Sequence, residues 1–133
     1  MNDKAQALQQ RTHAFFVRVL QYCEQLPRNK ATLRIEPQLI DSAGGTDSNY
    51  RAACRARSTA EFIAKIGVAS EEADESKGWL EALLASNNGS PDETRALIQE
   101  ADELTRIFVS SRKTAERRLN ERKQQERAAR PRR

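Results

Sequence analysis

The feature that most limits what this chain can fold into is a helix stop and restart at Arg57-Ser58. It lies inside NYRAACRARSTAEFIAKI, from Asn49 to Ile66. Ser58 is a strong N-cap residue, and Glu61 three positions later completes a Ser-x-x-Glu capping box. Two further breaks flank it. Pro27 ends the segment before it, because proline lacks the backbone donor and clashes with the preceding turn. Asn87-Asn88-Gly89-Ser90-Pro91 ends the segment after it, with glycine as the expected C-cap and proline opening the next helix. Three breaks leave four segments, so the question becomes what each segment is.

All four carry helical periodicity. The first, from Ala5 to Leu26, places Leu8, Thr12, Phe15, Val19, Tyr22 and Leu26 on one stripe. Phe16, Leu20 and Cys23 widen it, and the stretch before Thr12 is polar enough to fray. The second helix is expected to begin between Ala31 and Pro37, with Pro37 in its first turn, and to run over about 36–56. Leu33, Ile35, Leu39 and Ile40 give it apolar contacts. Gly44-Gly45 leaves two readings open. Either the helix breaks there, with Asp47 or Asn49 capping a restart, or it continues and the glycines admit a close neighbour. The third helix runs from Thr59 to about Ser86 on a stripe of Phe62, Ile66, Ala69, Ala73, Leu80 and Leu83, with a small-residue middle. Ser90 is expected to cap the fourth, whose stripe continues through Leu97, Ala101, Leu104, Phe108, Ser111, Ala115 and Leu119.

No segment alternates with the period of a strand, so the expected fold is all-α. Four long helices with short connections make an antiparallel up-down-up-down four-helix bundle over residues 1–119. After Leu119 the apolar residues run out, and 120–133 are expected to form a basic, disordered tail. At 133 residues the chain is one domain with enough length to bury a core. No window approaches the ~20 apolar residues that span a bilayer, and MNDKAQALQQRTH lacks an apolar signal core. A cytoplasmic protein is therefore expected, with no membrane partner. Phe16, Trp79 and Val109 lie off the main stripes; a single bundle would leave several of them in water, which points to an oligomer.

Charge carries most of the functional information. The net charge of +4 hides a split. Arg112 to Arg133 hold ten Lys/Arg and three Glu, net +7, while the remaining 111 residues are net −3. The basic residues of that tail are Arg112, Lys113, Arg117, Arg118, Arg122, Lys123, Arg127, Arg130, Arg132 and Arg133. They are the better nucleic-acid candidate, because each phosphate contact releases counterions and makes binding salt-sensitive. The competing reading is a solubilising tail that meets polyanions incidentally. A second basic cluster comprises Arg51, Arg55, Arg57 and Lys65, with Arg51 and Arg55 on one helix face. It either binds phosphate or pairs with carboxylates such as Glu61. Beside it, Asn49 and Tyr50 could contact a base, although a tyrosine at a bundle seam more commonly packs.

Enzyme chemistry finds little footing. His13 is the only histidine, which rules out a Glu-x-x-His pair in each half of a di-iron bundle and leaves no nucleophile triad to argue. Neither GxxxxGK[ST] nor GxGxxG occurs. Cys23 and Cys54 lack metal-ligand spacing and read as isolated reduced thiols. Glu71, Glu72, Asp74 and Glu75 form an acidic run whose ordinary reading is a solvated helix face. Within it, Asp74 lies nearest the core stripe and is expected to pair with Arg51 or Arg55 as a structural contact. No cofactor, metal or catalytic residue is expected.

Four pieces of the chain carry a family resemblance: RTHAFFVRVLQYCEQLP, NYRAACRARSTAEFIAKIG, EEADESKGWLEALL and LIQEADELTRIFVSSRKTA, together spanning about Arg11 to Ala115. In them the chain resembles the small four-helix-bundle proteins encoded in intervening sequences of bacterial 23S rRNA. It is more distantly similar to the accessory protein of diversity-generating retroelements, a basic pentameric bundle that works with a reverse transcriptase and nucleic acid. The resemblance implies a homopentameric ring, a continuous second helix and no catalytic activity, and the double glycine departs from its pattern. The function it implies is nucleic-acid binding, with RNA as ligand. The alternative is a protein–protein scaffold or accessory subunit for a reverse transcriptase or other ribonucleoprotein enzyme.

Overall fold

The computed structural model describes residues 2–131. Four helices account for nearly all of them: α1 (Asp3–Glu24), α2 (Lys30–Cys54), α3 (Thr59–Ala85) and α4 (Pro91–Ala129). Each packs on its sequence neighbour, and α1 closes the circuit on α4. Cross-links near both ends fix the antiparallel order. Tyr22 at the end of α1 meets Thr94 at the start of α4, and Arg122 late in α4 meets Thr59 at the start of α3.

The helix ends follow local chemistry, with some changes of detail. The Asn2 side chain accepts from the Ala5 N–H, so α1 is helical from Asp3 rather than frayed before Thr12. Asn29 and Thr32 form a reciprocal capping box, which starts α2 at Lys30. That places Pro37 inside the helix rather than in its first turn. The position tolerates it because Pro37 and Leu33, whose carbonyl loses its donor, are both exposed to water. Ser58 caps α3 by accepting from the Glu61 N–H at 3.1 Å, and the Glu61 carboxylate reaches one residue further back to the Arg57 N–H at 3.0 Å. Ser90 occupies the cap position of α4 without a side-chain cap bond; Pro91 opens the helix, and the Thr94 hydroxyl donates to the Ser90 carbonyl instead. Asn87, not glycine, supplies the left-handed residue that ends α3, at φ 60°. The Asn88 and Asn87 N–H groups close the turn on the Leu83 and Leu84 carbonyls. Gly89, at φ 81°, has a different duty: a Cβ there would sit 2.6 Å from the Tyr22 hydroxyl oxygen.

The core runs the length of the bundle. Phe15, Val19, Leu39, Ile66, Leu80, Leu83, Leu97, Leu104 and Phe108 are all essentially inaccessible to water. Across the diagonal, the rings of Tyr50 and Phe108 stack with centroids 5.2 Å apart. Small residues set the closeness of α3 to its neighbours: Ala69, Ser70, Ala73 and Ser76 are buried, and Ser76 bonds Ser42 of α2 at 2.8 Å. The helix α2 is continuous through Gly44-Gly45, because both glycines admit a neighbour. A Cβ on Gly44 would lie 3.2 Å from the Phe16 ring, and one on Gly45 would lie 2.6 Å from the Glu72 carboxylate. Phe16 and Trp79, off the main stripes, are half-buried against the core within a single chain, so a lone bundle does not leave them in water. Among the described residues, the large apolar ones left exposed are Leu20, Leu33 and Val68.

The largest change concerns the tail. Instead of losing structure after Leu119, α4 continues to Ala129, with every described residue from Asn120 onward exposed. At 39 residues it measures about 58 Å, against about 40 Å for the 27 residues of α3. Arg132 and Arg133 lie outside the described residues.

The glycines yield a stability test. Gly78 has open space around its Cα, so Gly78→Ala should gain about 0.5–1 kcal/mol from helix propensity. Gly44→Ala must move the Phe16 ring and should gain nothing or lose. Urea midpoints of the two variants, side by side, check this.

Candidate nucleic-acid interface

The two basic clusters of the sequence lie far apart along the chain, and the antiparallel order brings parts of both to one end of the bundle. Because α4 passes the α2–α3 turn, the Arg122 guanidinium donates to the Thr59 hydroxyl at 2.6 Å. Arg118 and Arg122 thereby stand beside Arg57 on the wall of an open groove of about 1420 Å³. Its other wall is the start of α1, which contributes Lys4 and Leu8. The floor includes Phe62, Ile107 and Ala115.

The groove exists because α1 is held to α4 less closely than α3 is. Where α1 and α4 meet, polar links stand in for intimate packing. Arg11 forks onto Glu100 through Nε at 2.8 Å and Nη2 at 2.7 Å, and reaches Glu103 at 2.6 Å. The hydrogen bond to Glu100 leads in pushing the Arg11 pKa upward, so this guanidinium is a permanent cation already committed to two carboxylates. Its positive charge is therefore largely spent inside the fold.

The other predicted residues divide. Arg51 is exposed and donates to Asp47, not Asp74, at 3.2 Å. Arg55 caps the end of α2 and is exposed. Lys65 is half-exposed on α3, away from the groove lining. Arg112 is half-buried against Gly67, with its Nε unbonded and 3.6 Å from Glu116. Lys113, Arg117, Lys123 and Arg127 line the exposed surface of α4, with Arg117 3.9 Å from Glu121. Tyr50 is buried in its stack on Phe108 and presents no face for a base.

The pairing expected of Asp74 does not form, and Asp74 is exposed. Its helical position turns it outward while Ala73 faces the core. The structural carboxylate is Asp47, only 5% exposed. It accepts from Arg51, contacts His13 Nδ1 at 3.0 Å, and lies 3.5 Å from the buried Thr12 hydroxyl. The signal was present in the sequence: Asp47 falls on the Leu39-Ala43-Tyr50 stripe, four residues before Arg51. An acid in a core register calls for partners.

The cysteines and the acidic run differ in their settings. Burial pushes the Cys23 thiol up to about 12, with Glu36 and Glu24 adding to the effect, so it is not a nucleophile near neutrality. Cys54 is a half-buried free thiol at the groove. Burial raises the Glu72 pKa, and Glu75, Glu71 and Asp41 raise it further. Among the described residues, no group of three His, Cys, Asp or Glu side chains is placed to hold a metal ion, and no helix is long and apolar enough to cross a membrane.

These features define an all-α four-helix bundle with one strongly basic end. A family model described as 23S rRNA-intervening sequence protein matches residues 4–110, and the chain belongs to that family. The basic residues from Arg112 onward all lie beyond the matched segment. Among solved structures, the chain is similar to a protein of unknown function from the S23 ribosomal protein family of Bacteroides thetaiotaomicron. The TM-score is 0.72 at 24% identity, over 83% of this chain and 98% of that one. This is a likeness of fold. A search of curated proteins finds no match.

The two aspartates give a direct contrast. Asp47→Ala removes the shared partner of a buried hydroxyl, a histidine and an arginine, and should cost about 1–3 kcal/mol. Asp74→Ala should stay within about 0.5 kcal/mol of the parent, as exposed substitutions do. Thermal or urea unfolding of both variants distinguishes them.

Proposed function

We propose that this protein is a non-enzymatic oligomeric bundle that binds RNA through its basic end. The observation that carries the reading is the Arg122–Thr59 contact, which sets the cationic extension of α4 beside Arg57 at the mouth of the groove. Two weak charge clusters thus act as one surface. Membership of a family named for an rRNA intervening sequence supports RNA over other polyanions. Lys113, Arg117, Lys123 and Arg127 extend the surface along α4, where they contact phosphates without reading sequence. In this reading the bundle supplies rigidity and the extension supplies affinity.

Affinity for a generic structured RNA should fall steeply with salt. Truncation after Ala115 should abolish it while leaving the bundle folded. Fluorescence anisotropy at low and high salt, on both forms, tests this; a truncated chain that binds as tightly as the full one rejects the reading.

The homopentameric ring belongs to the same proposal. It is supported by the resemblance to pentameric bundles and by exposed Leu20, Leu33 and Val68, which a neighbouring copy would cover. A ring would gather five basic extensions. Light scattering should give a mass five times the 15.1 kDa chain, and a single-chain mass removes the ring.

A further inference from the structure

We infer that the groove at the basic end is a seat for unpaired RNA, so that the protein prefers a single strand to a duplex. This rests on the RNA-binding reading above and goes beyond it by naming the form of RNA and the residue that selects it. The first argument is charge. Lys4, Arg57, Arg118 and Arg122 rim the groove, and among the described residues none of them is ion-paired. Among the described residues, Arg122 bonds only the neutral Thr59 hydroxyl. Set against these four cations, the carboxylate among the described lining residues is Glu121, itself 3.9 Å from Arg117, so the concavity keeps a positive excess that complements a polyanion.

Size and floor decide its form. At about 1420 Å³ the groove exceeds the roughly 300–1,000 Å³ of a small-molecule site, so it accommodates a stretch of polymer. Its floor carries apolar side chains, half-buried Phe62 with Ile107 and Ala115, and Leu8 stands on the wall, with polar groups sharing the lining. A duplex presents a sugar–phosphate surface with its bases stacked inside, and gains nothing from such a floor. An unpaired strand lays its backbone on the rim cations and places a base against Phe62, as single-strand-binding grooves do. Hydroxyls of Ser58, Ser111 and Thr114 stand along the lining to meet base edges.

The test uses the full chain, a labelled oligouridylate, and a duplex RNA of equal length. The single strand should bind about tenfold or more tightly. Phe62→Leu should weaken the oligouridylate about tenfold, the fold-change of one lost base stack, and leave duplex binding unchanged. Cys54, a half-buried free thiol lining the same groove, gives a readout in the unsubstituted protein. Bound oligouridylate should slow its alkylation several-fold, and duplex should not. Equal affinity for both RNAs, or no protection of Cys54 by bound single strand, overturns the groove while leaving RNA binding by the extension intact. Failure to bind either RNA overturns the functional reading itself. An acidic amphipathic peptide that protects Cys54 where RNA does not overturns the assignment in favour of a protein ligand.

Discussion

The close approach of α3 to α2 and α4 is the constraint from which the rest follows. Buried Ala69, Ser70, Ala73 and Ser76 let two helices come in on α3, and Gly44-Gly45 lets Phe16 and Glu72 lie across α2. Close-packed seams on one side leave α1 as the looser member. It is retained by its own apolar stripe and, against α4, by the Arg11 fork and the Tyr22–Thr94 hydrogen bond. Opening that seam toward the start of α1 produces the groove. The packing asymmetry of the core thus determines where the surface has a concavity.

Charge placement exploits the same geometry. On the bundle itself several cations are matched: Arg11 with Glu100 and Glu103 and Lys77 with Asp102 across helices, and Arg51 with Asp47 and Arg106 with Asp102 along one helix. At the groove and along the extension, positive charge exceeds what neighbouring carboxylates neutralise. The distinction separates cations already matched to a carboxylate from cations available to a ligand. Composition alone does not make it, since an arginine reads the same in either setting.

Much of the fold was legible. The Ser58 cap, Pro27 and the Asn87–Pro91 break each act through local backbone chemistry, so they mark boundaries without tertiary information. Where local signals were ambiguous, the errors have identifiable causes. Pro37 sits mid-helix because its turn faces water and Asn29 with Thr32 nucleates the helix earlier. Phe16 and Trp79 lie off the main stripes, yet a single chain half-buries them, because a stripe on a helical wheel is narrower than the face that two neighbouring helices cover. The extension of α4 was expected to melt for want of apolar residues, yet alanine, glutamine, glutamate and arginine are good helix formers, and the helix is propagated from a packed stem.

What the sequence determined by itself was the helix inventory, the order of the breaks, the stripe that becomes the core and the separation of a basic end from an acidic body. These depend on neighbours within a few residues. Tertiary structure alone decided that Asp47 rather than Asp74 is the structural carboxylate, that the double glycine is a contact and not a break, and that Arg57 meets Arg118 and Arg122 around one groove. Each of those depends on groups brought together across helices, and periodicity within one helix does not specify which face of another it will meet.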